Sequence, residues 1–277
     1  MSEAFTVRPL KCDHCGSALP IMGQFVTFQC QTCFQYWILS ARGLTQVRVY
    51  RALPKRETKC DTIYLPFWVI EVDCADLRTQ VTTTVTELHE KTKVIAGTNV
   101  ELEQDNEIES LVRENFGYDI SMRAAKFVQE ASKAVSVPTT AEVNYLLRRI
   151  ESAGKYYLYV PSFKSVNTYA YLKIGRLMTK RQPGYRVERS KGIARSILCA
   201  LQADEALSLM DFVFFATLPE SIRMNSDFME RIHLKPAGHP HLVEFPFEKQ
   251  RSSFSSLVSD FQISGRLVEL PGPERGA

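Results

Sequence analysis

Three apolar runs of strand length stand out along the chain: Ile63 to Ile70, Tyr157 to Phe163 and His241 to Phe247. Each carries a Pro and a Phe, the second and third at their ends, so the three read as a recurring β unit. Pro66 has no N–H to give to a ladder, so its strand begins there, lies on an edge or carries a bulge. Leu44 to Tyr50 alternates as a strand does, and Leu77 to Leu88, interleaved with five threonines, has the pattern of a half-exposed strand. Helical spacing appears at Ser121 to Ala134, Val166 to Met178 and Thr140 to Ser152, the last capped by Thr139 or Thr140 and carrying Val143, Leu146, Leu147 and Ile150 on one face. Ala203 to Ala216 holds Leu207, Met210 and Phe214 in an apolar helical stripe that reads as core. The tail from Ser252 reads as a closing hairpin turning at Ser264-Gly265, and Pro271 to Ala277 as a frayed end.

Ahead of these elements lie two cysteine pairs, Cys12-x-x-Cys15 and Cys30-x-x-Cys33, separated by fourteen residues. Two thiolate pairs at this spacing let two tight turns present four sulfurs to one tetrahedral metal, with the intervening chain folded back as a hairpin. Gln24 to Phe28 and Phe34 to Leu39 supply its strands, and Phe34, Tyr36 and Trp37 are expected to seal the unit against the next domain. A closed four-sulfur shell has no open position for water or substrate, so a single structural Zn2+ is expected. Iron in the same shell, as in rubredoxin, is the alternative, but rubredoxin-like sites have Gly after both pairs, and here Gly16 follows the first and Phe34 the second. His14 reads as a surface residue, and His233, His239 and His241, broken by Pro240, as a loop and strand start. The expected fold is α+β: a small rubredoxin-like zinc ribbon over 6–40, then a mixed β-sheet body with amphipathic helices in two units, 41–152 and 153–270.

Composition narrows the function only a little. The balance of 34 Lys and Arg against 31 Asp and Glu gives +3, far from the strongly basic character of a dedicated nucleic-acid domain. An apolar content of 45% predicts a packed globule. Beyond the quartet, Cys60, Cys74 and Cys199 read as buried free thiols. That odd remainder, a thiolate metal site and no charged-then-apolar run after Met1 all predict a reducing cytoplasm. Even the run Asp211 to Leu218 falls short of the roughly 18–20 residues a membrane span needs.

Charge is unevenly placed. Glu101, Glu103, Asp105, Glu107 and Glu109 form an acidic stretch that reads as a solvated face. Lys173, Arg176, Lys180, Arg181, Arg186, Arg189, Lys191 and Arg195 form a basic one opposed only by Glu188, with Tyr169, Tyr171 and Tyr185 interleaved. Clustered cations with aromatic neighbours are what nucleic-acid or anion binding requires; a solvated helix face balanced by the acidic stretch is the competing reading. No Gly-rich phosphate loop, Gly-x-Ser-x-Gly or His-Glu-x-x-His is present, which lowers the expectation of an enzyme.

At Cys12-Asp-His-Cys15-Gly16 and Cys30-Gln-Thr-Cys33 the chain resembles the zinc ribbons that head many prokaryotic transcription, replication and adaptor proteins, a likeness covering the first 40 residues or so. The order of ribbon, Leu65-Pro66-Phe67-Trp68, Val160-Pro161-Ser162-Phe163 and Leu242 to Phe247 is similar to bacterial zinc-ribbon proteins of unassigned role. The resemblance implies metal ligands at Cys12, Cys15, Cys30 and Cys33 and no further site residue. Three functions are therefore expected, in this order: a non-catalytic protein-binding or adaptor component of a cytoplasmic assembly, a nucleic-acid-binding protein using the ribbon and the basic segment, and a rubredoxin-like iron carrier.

Overall fold

The computed structural model describes residues 10–20, 25–40, 43–58, 60–104, 140–152, 154–165, 168–190, 196–223 and 226–268. They form an α+β fold of two compact units interleaved along the chain, Met1–Val72 with Tyr156–Thr217 and Pro236–Ala277, and Asp73–Lys155 with Leu218–Lys235.

The first unit holds two sheets. Strands β1 (Thr27–Gln29), β2 (Tyr36–Ser40) and β3 (Gly43–Val47) make a three-stranded antiparallel sheet. The predicted strand over Leu44 to Tyr50 is thus split at Arg48, with β4 (Val49–Ala52) passing into a separate seven-stranded sheet. At the centre of that larger sheet, β5 (Thr62–Val72) runs antiparallel to both β6 (Tyr156–Pro161) and β8 (His241–Lys249). The three Pro-Phe runs are therefore adjacent strands of one sheet. On its far side β8 pairs first with β4, in parallel, and then with β9 (Ser253–Ser256); β7 (Val187–Arg189) and β10 (Gln262–Ser264) lie outside these.

Pro66 neither starts β5, nor sits on an edge, nor makes a bulge: it pairs in register with Glu244 in the middle of the strand. Its carbonyl accepts from Ser162 N at 3.0 Å, so its missing N–H faces the β6 side just where β6 ends at Pro161. Pro246 repeats the device on β8, its carbonyl accepting from Leu257 N at 3.0 Å in the interval between β4 and β9. The carbonyl opposite each missing N–H is satisfied from elsewhere, Ser162 O accepting from Ala200 N and Leu257 O from Lys55 N. In the closing hairpin the loop is 257–261, and Ser264-Gly265 instead leads into a short 3-10 turn (Gly265–Leu267). The reason is register: Ser256 N bonds Phe261 O, and Ser256 Oγ accepts from Val258 N and Ser259 N, closing the loop early.

One face of this sheet buries Phe67, Val69, Tyr159, Val243, Phe245 and Phe247 beneath α3 (Thr168–Arg181), which contributes Ile174 and Met178. Gly175 lets α3 approach closely, since a Cβ there would stand 2.9 Å from the Tyr159 carbonyl oxygen. Gly175→Ala is thus expected to cost about 1–3 kcal/mol in thermal or denaturant unfolding; an unchanged midpoint would mean that α3 is free to lift off β6. The predicted helix over Ala203 to Ala216 is two short ones, α4 (Ala203–Ser208) and α5 (Met210–Phe215), meeting at Leu209.

In the second unit, Leu77 to Leu88 is not a strand but part of helix α1 (Cys74–Gln104). Its buried residues Leu77, Val81, Thr84 and Leu88 recur at helical intervals of four, three and four, a stripe that the threonine alternation disguised. Asp73 caps the helix by accepting from Ala75 N and Asp76 N, and Thr79, Thr82 and Thr86 bond the carbonyl four residues back. α1 contacts α2 (Thr140–Ser152), where Val143, Leu146 and Ile150 are buried as predicted and Leu147 is half-buried. Two short helices, α6 (Glu220–Arg223) and α7 (Ser226–Arg231), also belong to this unit. The predicted helix over Ser121 to Ala134 and the acidic positions from Asp105 to Glu109 lie outside the described residues. Among the described residues, no helix is long and apolar enough to cross a membrane.

Candidate metal centre

Two matching turns build the site. In the first, Cys12 N donates to Ser17 O at 2.8 Å and Gly16 N to Cys12 O at 2.7 Å; in the second, Cys30 N donates to Gln35 O and Phe34 N to Cys30 O, both at 2.9 Å. Each turn needs a left-handed residue directly after its second cysteine, and Gly16 (φ 74°) and Phe34 (φ 59°) fill these equivalent positions. Phe34 therefore carries a conformation that favours glycine, and it does not seal the ribbon, being 48% exposed. The left-handed cost of roughly 1–2 kcal/mol for an L side chain exceeds the roughly 0.5–1 kcal/mol of chain entropy that glycine adds. Phe34→Gly is accordingly expected to raise the denaturation midpoint of the metal-loaded protein, and a fall would show that the ring contributes packing.

The turns converge. The Sγ atoms of Cys12 and Cys33 lie 3.5 Å apart, those of Cys15 and Cys30 3.4 Å apart, and all four lie within 4.8 Å of one another. A tetrahedral ion bound at about 2.3 Å sets its sulfurs roughly 3.8 Å apart, so the quartet stands at metal-binding distance without rearrangement. The Ser17 hydroxyl and its backbone N–H hold the Cys15 thiol down to about 6. At Cys33 the Gln35 backbone N–H acts in the same sense, but burial and the neighbouring sulfurs outweigh it and push the thiol up to about 12, so Cys15 is the ligand poised as a thiolate. Cys12 and Cys30 are buried with Leu19, Phe28 and Trp37 in a small ribbon core. Among the described residues this quartet is the only His, Cys, Asp and Glu group at such distances, and the three histidines from 233 to 241 do not join one.

The ribbon is fastened to the large sheet by polar groups far apart in sequence. Arg51 donates through Nε and a terminal nitrogen to Glu244 Oε2, at 3.1 and 2.8 Å, and the same nitrogen reaches Ser190 Oγ at 3.0 Å and Ser196 Oγ at 3.2 Å. Tyr36, from β2, enters this network by donating to Glu244 Oε1 at 3.4 Å beside Ser190 Oγ at 3.1 Å, and the Arg51 guanidinium lies 4.4 Å over the Tyr64 ring. Burial and the nearby Glu244 charge push the Tyr36 hydroxyl up to about 12, so it remains a donor. A second fastening exchanges bonds between the Val26-Thr27 pair and buried Cys199: Cys199 N donates to Thr27 Oγ1 at 2.9 Å, and Val26 N to Cys199 O at 2.9 Å. No local motif announced Arg51 and Glu244; a lone Glu within the apolar run His241 to Phe247 was the one available signal.

The basic segment separates into parts. Lys173, Arg176 and Lys180 share the outer face of α3 at helical spacing, Arg181 ends the helix, Arg186 is exposed in the following loop, and Arg189 on β7 donates to Gln35 Oε1 at 3.1 Å. Lys191 and Arg195 lie outside the described residues. Two of the interleaved tyrosines do not stand free between the cations: Tyr171 donates to Phe163 O at 2.8 Å, and Tyr185 packs edge-on against Phe245 at 4.8 Å. Cys60 is exposed and Cys74 half-buried, so of the three remaining thiols only Cys199 is buried as expected. Comparison of the chain with family models, curated proteins and solved structures finds no match.

Proposed function

We propose that this is a non-catalytic nucleic-acid-binding protein, working in a reducing compartment, in which one Zn2+ in a rubredoxin-like ribbon is a staple and the first unit carries the binding surface. The supporting observation is the outer face of α3 and its continuation, where Lys173, Arg176, Arg181 and Arg186 make no ion pair among the described residues. Clustered cations are what phosphate neutralisation uses, and Lys173, Arg176 and Arg181 stand on the helix that Gly175 seats against the sheet. A closed sulfur shell supports zinc as a fold-holding ion rather than a reagent.

Anisotropy of a labelled oligonucleotide, titrated across a range of salt, tests this. Neutralising Lys173, Arg176 and Arg181 together to Gln is expected to weaken binding at low salt and to reduce the salt slope by about two, from roughly 0.7 per lost contact on a single strand. Salt-insensitive or absent binding overturns the reading. Exposed apolar residues on the ribbon, Phe34 and Leu39, favour a second reading as a protein-binding adaptor; a stoichiometric partner that Phe34→Asp releases and the triple variant retains would establish it.

A further inference from the structure

Among the described residues, the sheet face beneath α3 is not covered along its whole length. Phe245 and Phe247 are buried, but at the other end of β8 the face opens into a cleft of about 250 Å³. Val69 and Val243 floor it, and Tyr50, Tyr157, Tyr185 and His241 stand around it. The rings are held from behind: Tyr50 meets His241 edge-on at 5.9 Å, and Tyr185 is braced by Phe245. The volume lies below the roughly 300–1,000 Å³ of a pocket for drug-sized ligands, which suits one flat ring system. The charge around it is positive. Arg48, exposed, precedes β4 where the parallel register Val49 to Leu242 sets it beside His241; Arg186 adjoins Tyr185; Arg189 pairs with Tyr50 across β7 and β4. Glu71, in register with Tyr157, is the acid at the opposite rim.

An aromatic cleft rimmed by arginines disfavours a cationic guest and suits a flat ring attached to phosphate. We infer that this cleft seats one base of a single-stranded nucleic acid against Tyr50 and Tyr157, with the flanking phosphates on Arg48 and Arg186. The inference rests on the nucleic-acid reading above and specifies its strand form and its base contact, neither of which the cations of α3 supply.

The test compares a fluorescein-labelled oligothymidylate with an abasic strand of the same length on the intact metal-loaded protein. The oligothymidylate is expected to bind at least about tenfold more tightly, the scale of one stacked base. Tyr50→Leu and Tyr157→Leu each remove that preference while leaving abasic affinity, salt slope and the circular dichroism spectrum unchanged; Arg186→Gln weakens both strands alike. Should a Tyr variant fail to fold, the wild-type comparison of the two strands still decides. Equal, salt-sensitive binding of both strands by the wild type overturns the cleft and leaves the polyanion surface standing, as does a base preference that survives both Tyr substitutions in folded protein. Binding of neither strand removes both readings.

Discussion

Replacing Cys30 with serine is expected to strip the metal from the protein and melt the ribbon while the pairing of β5 with β6 and β8 persists. Cys30 is fully buried and supplies one of the four sulfurs, and among the described residues the ribbon core around it buries Cys12, Leu19, Phe28 and Trp37, with Leu10, Cys33 and Leu44 partly buried against them. Apolar burial on that scale does not hold a fold alone, whereas structural zinc contributes about 10–16 kcal/mol of binding free energy in small thiolate sites. Among the described residues the three ribbon strands pair with one another and with no strand of the large sheet, so no ladder of that sheet is lost with them. Hydrogen exchange should therefore show loss of protection at Phe28 and Trp37 with retention at Leu65 and Val243, and chelation of the wild type should give the same map. Retention of more than about half an equivalent of metal by the variant, or uniform loss of protection across both sheets, would defeat this account. One equivalent of iron with visible colour in the native protein would move the reading to an electron carrier.

The second large effect belongs to Glu244. Its carboxylate accepts from Arg51, Ser190 and Tyr36, and it is 2% exposed against 7% for Arg51. Glu244→Ala leaves the guanidinium buried without its counter-charge, for which about 3–5 kcal/mol of lost stability is expected. Paired replacement, Arg51→Met with Glu244→Leu, removes both charges and is expected to recover most of that loss, although Tyr36 and Ser190 then lose an acceptor. Denaturant unfolding of the three proteins measures both. A loss under about 1 kcal/mol in Glu244→Ala would mean that water reaches the pair.

The cysteine quartet was legible because a metal site is written in local spacing: both turns are complete within six residues of their first cysteine. Helix α2 was legible for the same reason, its stripe of Val143, Leu146 and Ile150 uninterrupted by polar residues. α1 was misread because Thr84 occupies a buried place in its stripe and further β-branched threonines crowd the exposed positions. Prolines in central strands argue against central strands unless neighbouring ladders stop beside them, and nothing in Pro66 or Pro246 announces where β6 or β9 will stop. The union of Arg51 with Glu244 spans 193 residues, and the aromatic cleft gathers β4, β5, β6, β7 and β8, so neither has any local pattern to read.

The position of β8 governs when this molecule becomes complete during synthesis. β5, β4 and β9 all pair with a strand that ends at Lys249, so Ile63 to Ile70 emerges from the ribosome long before its partner exists. Through that interval the nascent chain presents an unfinished apolar edge, which makes a holding chaperone valuable to it and places truncations before His241 among the most aggregation-prone lesions it can suffer.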